Sequence, residues 1–327
     1  MIVTVTPNPS LDRTVTLATP LTRGAVHRVS SVSTEPGGKG VNVARALTLA
    51  GVDAIALLPA SGTDPLVTAL QDIGVPFRCV PIASPVRTNI AITETDGTTT
   101  KINEPGARLD ERAIDALTRS VIASAEHASW VVMSGSLPPG VPDRWYADVV
   151  AALAPYPCKV AVDTSDAPLA ALVNESPRAA PDLMKPNAEE LASVIGYSPH
   201  ALEAAVAQGD PAPVVSAAQR LVDRGVGAVL ATLGSAGAVL VTGDGSWLAT
   251  PPPIVPRSTV GAGDASLAGY VRADDEDAMP SRRLQMAVAY GSAAAALPGS
   301  ALPTPDDVDP NAVAVTPVSP VPDPASS

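Results

Sequence analysis

The sequence predicts an α/β protein, a parallel sheet covered by helices with a small second sheet beside it. Short β-branched runs alternate with Ala- and Leu-rich stretches along most of the chain, the pattern of repeated strand–helix–strand units. Two segments, 15–33 and 86–103, break the alternation, reading as strands joined by turns such as Asp96-Gly97 with no helix between them. With 46% hydrophobic residues, 327 residues are enough to bury a large core.

Taken in order, the strands expected in the main sheet cover 2–6, 54–60, 130–134, 160–164, 183–185 and 229–233. Helices fill the gaps at 41–50, 64–73, 111–125, 142–153, 214–224 and 283–297, each beginning or ending near Gly, Pro or Asp. The segments 15–33 and 86–103 are expected to pair as the small sheet. Beyond 303, Pro, Asp, Ser and Val follow one another without periodicity, so a mobile tail is expected over 303–327.

Composition narrows the function. A net charge of -12 lacks the basic face that a phosphate-backbone binder needs, which argues against nucleic acid as partner. Residues 1–7 carry no basic or apolar leader, and no run reaches the roughly 18 apolar residues of a spanning helix, so a cytoplasmic protein without a membrane partner is expected. Cys79 and Cys158 lie far apart, outside any thiolate metal spacing. His27, His127 and His200 sit in ordinary polar or helical contexts, and no Gly-x-Ser-x-Gly elbow accompanies them.

The most specific motif is Ser258-Thr-Val-Gly-Ala-Gly-Asp264, leading into a helix-like stretch over 265–271. Gly261, Ala262 and Gly263 let backbone N–H groups approach an anion at a helix start, where those groups are unpaired and the dipole is positive. Asp264, with an ordinary pKa of about 3.9, is then ionised and able to accept a hydroxyl proton. A plain helix cap after a glycine turn explains the same residues equally well.

Pro36-Gly-Gly-Lys-Gly-Val-Asn42 precedes a second helical stretch, with Gly37 and Gly38 exposing amides and Lys39 and Asn42 supplying a charge and a two-way amide. Gly40 stands where a Walker loop needs Ser or Thr, and Gly261-Ala-Gly263 lacks the third glycine of a dinucleotide fingerprint. In Lys185-Pro-Asn-Ala-Glu-Glu190, Asn187 and Glu190 share a helical face and suit a hydrated magnesium ion, or equally a capping box. Thr232-Leu-Gly-Ser-Ala-Gly237 is a glycine turn that borders a nucleotide or simply closes a hairpin.

Together and in this order, the segments resemble the ribokinase/PfkB carbohydrate kinase family over residues 1–302. The resemblance implies a three-layer α/β/α sandwich with a mostly parallel sheet and a β-sheet lid from about 12–35 and 86–104. It implies Asp264 as base and Gly261, Ala262 and Gly263 as anion hole. It also implies Lys185, Asn187, Thr232, Gly234, Gly237 and Ser292 around ATP, with magnesium near Asn187 and Glu190 through water. Substrate contacts are implied for Asp12, Arg28, Gly37, Gly38, Lys39, Asn42, Arg87 and Ser136.

The phosphosugar branch, 1-phosphofructokinases and tagatose-6-phosphate kinases, resembles the chain most in Asn8-Pro-Ser-Leu-Asp12, Arg87-Thr-Asn-Ile90, Asn103-Glu-Pro-Gly106 and Ser134-Gly-Ser-Leu-Pro-Pro-Gly140. The expected reaction is ATP-dependent phosphorylation of a ketohexose monophosphate, fructose 1-phosphate first, with tagatose 6-phosphate and fructose 6-phosphate as alternatives. Arg87, with Lys39 and Arg28, would hold the phosphate already on the sugar. A homodimer through the lid and a monovalent cation are further family features. Ser258 stands where many relatives carry Asp, and Thr232 where many carry Ser. A catalytically dead phosphosugar-binding regulator is the non-enzyme alternative, against which the intact Asp264, Asn187 and Glu190 count.

Overall fold

The computed structural model of the protein describes residues 1–196, 198, 202, 204–205 and 208–319. His200 and the end of the expected tail, 320–327, lie outside the described residues.

The apolar runs form strands buried on both faces, which is why they read as continuous rather than alternating. In β1 (Ile2–Val5), Ile2 joins one core cluster while Val3 and Val5 join the other. Trp130 and Val132 of β8 (Trp130–Ser134) likewise face away from Val131 and Met133. The parallel part of the main sheet is completed by β4 (Ala54–Pro59), β5 (Phe77–Val80), β9 (Lys159–Asp163), β10 (Leu183–Met184) and β11 (Ala228–Thr232). Antiparallel β12 (Ala238–Thr242), β13 (Gly245–Thr250) and β14 (Ala314–Pro317) extend one edge. Spatial order is β14-β13-β12-β11-β10-β9-β8-β1-β4-β5.

One face is covered by α3 (Glu111–Ala125), α4 (Trp145–Leu153), α5 (Asp166–Asn174), α6 (Ala188–Ile195) and α7 (Ala212–Val222). The other carries α1 (Lys39–Leu49), α8 (Ala262–Asp275) and α9 (Pro280–Ala296). A third cluster seats α2 (Pro65–Asp72) against α1 and β4 through Leu66, Val41 and Leu58. The result is the expected three-layer sandwich.

The small sheet has the order β3-β2-β6-β7, from β2 (Ser10–Leu17), β3 (Val29–Gly37), β6 (Arg87–Thr93) and β7 (Thr99–Asn103). Its two hairpins are antiparallel and join through a parallel β2–β6 ladder.

The mobile tail expected over 303–327 is corrected for its described part. Residues 305–312 hold two short 3₁₀ turns, and β14 pairs antiparallel with β13 from Thr250–Ala314 to Trp247–Pro317. Val313 is buried, and its carbonyl accepts a hydrogen bond from Gln285 Nε2 at 3.1 Å. Without β14, the β13 edge would be left unpaired. Proline, tolerated at a sheet edge, masks the strand in the sequence. Helix α5 and the short strand β5 were also absent from the sequence expectation, and α8 is longer at both ends than 265–271.

Candidate active site

After β1, the chain adds β4 on one side and β8 on the other, so the loops at the C-terminal ends of these parallel strands diverge and leave a crevice. The motifs converge there. Asp163 ends β9 with its side chain fully buried, and two ammonium groups flank it: Lys39 Nζ at 2.9 Å from Oδ1 and Lys185 Nζ at 3.0 Å from Oδ2. Burial alone would raise the Asp163 pKa, but Lys185 and Lys39 outweigh it and hold the carboxyl below its usual range. For Lys39, burial pulls the other way and is overcome by Asp163, so its pKa is raised.

Lys185 also lies next to the α8 start. A Cβ placed on Gly263 would lie 3.3 Å from Lys185 Nζ. Gly261, with φ of 77°, is the N-cap of α8, and no side chain caps the helix. A left-handed conformation of this kind suits glycine, and a helix start without a side-chain cap leaves first-turn amides for other partners. In the same turn Asp264 is buried and accepts a hydrogen bond from Asn42 Nδ2 at 2.8 Å. Its pKa is pushed up to about 6, first by burial and then by the charge on Asp163. The ordinary carboxylate pKa expected from the sequence is therefore corrected by the site's low-dielectric surroundings.

On the small-sheet side, Asp12 Oδ1 accepts from Ser10 Oγ at 2.8 Å and Asn89 Nδ2 at 2.9 Å. Gly37 is pressed against this carboxylate so closely that any Cβ would overlap it. Arg87 opens β6 in register with Ser10 and donates from Nη1 to the Glu104 carbonyl at 3.3 Å, while its Nε is buried with no partner. Burial lowers the Arg87 pKa, and Asp12 opposes that shift. Asn8 Nδ2 donates to the Pro105 carbonyl at 3.1 Å and to Ser136 Oγ at 3.2 Å, which fastens the motifs at 103–106 and 134–140 to the end of β1.

The other two expected phosphate partners are Lys39 and Arg28. Lys39 is committed to Asp163. Arg28 is exposed just before β3, whose opposite end is Gly37; at roughly 3.3 Å per residue, it lies on the order of 30 Å from the crevice of its own chain.

Asn187 and Glu190 form the capping box of α6: Asn187 N–H donates to Glu190 Oε2, and Glu190 N–H to Asn187 Oδ1, each at 2.8 Å. Asn187 also forms a parallel bridge with Thr232, and the charge of Glu190 contributes to the raised pKa of Lys39. The turn after Thr232 joins β11 to β12: Gly234 opens a 3₁₀ turn, and Leu233 N–H donates to the Gly237 carbonyl at 2.9 Å. Ser292 is half-buried on α9, next to Gly291, which packs on Ser266 and Ala262 of α8. Lys185, expected on the nucleotide side, is buried between Asp163 and Gly263.

Sequence reasoning missed Asp163 and Asn89 as site residues. The available signal for Asp163 was a carboxylate ending an apolar parallel strand, and for Asn89 its place in the Arg87-Thr-Asn-Ile90 motif.

The description of pfkB family carbohydrate kinases matches residues 6–307. The chain belongs to this family. A 1-phosphofructokinase of Xanthomonas campestris is 36% identical to this kinase over 279 residues, 84% of this chain and 85% of the relative. The ATP-dependent 6-phosphofructokinase isozyme 2 of Escherichia coli is 32% identical over 310 residues, 94% of this chain and 96% of the relative. The crystal structure of phosphofructokinase-2 from Escherichia coli in complex with substrates and products superposes with a TM-score of 0.84 at 32% identity, covering 94% of this chain and 96% of that one. The protein is thus a sugar-phosphate kinase that transfers a phosphoryl group to an alcohol, with fructose phosphates as its substrate class. Among the described residues, no helix of this kinase is long and apolar enough to cross a membrane.

Proposed function

We propose that this kinase phosphorylates fructose 1-phosphate to fructose 1,6-bisphosphate with ATP as donor. The observation that carries the substrate class is Arg87, a guanidinium in the crevice opposite Asp12 whose buried Nε has no partner. A buried charged donor left unsatisfied is costly, and a phosphate already on the sugar would satisfy it with two oxygens in the plane of the fork. Similarity to 1-phosphofructokinases favours the phosphate at position 1.

Asp264 acts as base. As the sugar hydroxyl oxygen bonds to the γ-phosphorus, the bond to the β–γ bridging oxygen breaks, ADP leaves, and the hydroxyl proton passes to the Asp264 carboxylate. The hydrogen bond from Asn42 orients that carboxylate. The turn at Gly261, Ala262 and Gly263, which no side chain caps and in which the Ala262 N–H donates to the Thr259 carbonyl at 3.4 Å, is backed by Lys185 and stabilises charge on the transferring group. Asp12, fixed by Ser10 and Asn89, grips sugar hydroxyls with Asn42, and Gly37, Gly38 and Ser136 shape the pocket.

The donor set at Asn187 and Glu190 fits magnesium through water. Each side-chain oxygen in the capping box keeps a spare lone pair, and one carboxylate beside an amide suits an ion that retains most of its waters. When bound, magnesium would neutralise charge on the ATP phosphates. Exposed Val29, Val32 and Ile102 on the small sheet support pairing of two copies through it.

The test is an ADP-coupled assay with magnesium across fructose 1-phosphate, fructose 6-phosphate, tagatose 6-phosphate, fructose and ribose. Fructose 1-phosphate is expected to give the highest kcat/KM. A higher value for a neutral sugar would overturn the Arg87 assignment, and a higher value for a 6-phosphate would move the substrate within the branch.

A further inference from the structure

Glu35 stands two residues before Gly37, where the small sheet passes into α1, and lies directly across the β2–β3 ladder from Asp12. Its Oε2 accepts hydrogen bonds from two separate elements, from Arg45 Nη1 of α1 at 3.0 Å and from Ser300 Oγ at 2.9 Å. Ser300 belongs to the segment after α9. Two residues later Leu302 is buried, and a Cβ on Gly261 would come within 3.2 Å of its Cδ2. The approach to that glycine is fixed from the same end of α9, where the Ala295 carbonyl accepts from Arg257 N–H at 2.8 Å and Ser258 N–H at 3.2 Å. One carboxylate oxygen therefore links the strand pair carrying Asp12 to the segment that packs on the anion-binding turn.

We propose that Glu35 is a positioning residue for phosphoryl transfer, holding the Asp12 strand pair and the Gly261 turn in register through Ser300 and Leu302. The proposal rests on the assignment of Asp264 and Gly261–Gly263 above. The physical basis is that transfer needs the sugar hydroxyl and the anion hole aligned, and a misplacement of about 1 Å costs as much as roughly a hundredfold in rate. A hydrogen bond to a charged acceptor is strong enough to set such alignment yet small enough to leave folding intact.

The test compares Ser300→Ala, Ser300→Thr and Glu35→Gln in the full chain. Readouts are kcat, both KM values, thermal midpoint, and ATP hydrolysis without sugar phosphate. Ser300→Ala is expected to lower kcat by roughly three- to tenfold, the scale of one charge-assisted hydrogen bond at partial exposure. KM for ATP should stay constant, and the ratio of sugar-independent hydrolysis to transfer should rise. Ser300→Thr, which keeps the hydroxyl, should restore both, and Glu35→Gln should be impaired without adding to Ser300→Ala. A lower thermal midpoint with unchanged kcat and hydrolysis ratio would overturn the proposal, leaving a purely structural contact. A wild-type enzyme inactive on every phosphosugar would instead overturn the proposed function and this inference with it.

Discussion

Asn42 and Asp264, 222 residues apart in the chain, share a 2.8 Å hydrogen bond in which the amide of α1 donates to the carboxylate of α8. The bond favours the ionised form of Asp264, while burial and the nearby Asp163 disfavour it more strongly. The base is thus oriented by one helix and tuned by the interior around the other.

Replacing Asp264 with Asn preserves shape and removes the proton acceptor. The expected loss in kcat is roughly 100- to 10,000-fold, with ATP and sugar affinities within several-fold. A kcat within threefold of wild type would refute the assignment. In the wild-type enzyme kcat/KM should fall as pH drops through about 6, because the raised pKa keeps Asp264 protonated below that point.

Substituting Asp163 by Asn leaves Lys185 and Lys39 without their shared counter-charge. Breaking one side of a buried pair costs about 3 to 5 kcal/mol, and the lower end is expected here because the Lys39 side chain is 38% exposed. Denaturant unfolding should show an earlier midpoint at constant slope. Asp163 also helps raise the Asp264 pKa, so the acidic limb of kcat/KM should move to lower pH. A limb that stays in place would show that the two carboxylates do not communicate.

Arg87→Ala should raise KM for the phosphosugar at least about tenfold, since a charged hydrogen bond contributes about 1.5 to 3 kcal/mol. KM for ATP should change little. Equal effects on both substrates would place the role of Arg87 in the fold of the small sheet.

Glu190→Gln keeps an oxygen able to accept the Asn187 amide, so the cap of α6 survives and thermal stability should hold. The magnesium concentration needed for half-maximal rate should rise. Lower stability with an unchanged magnesium titration would assign Glu190 to capping alone.

The sequence alone determined the layered α/β architecture, most strand and helix positions, and the glycine-rich turns at the ends of strands. These follow from local rules, namely apolar periodicity, caps and turn residues, which act within a few residues of one another. It also singled out Asp264, Lys39, Asn42, Asp12 and Arg87. The tertiary structure decided which of them meet. Asp163 was one acid among many until the fold set it between Lys39 and Lys185, and Arg28 was separated from Arg87 by the length of β3. The Asp264 pKa near 6 arises from burial and from a charge 101 positions earlier in the chain, neither of which has a local signature. The edge strand β14 was equally hidden, because its stability comes from the unpaired edge of β13 rather than from its own Pro-rich residues.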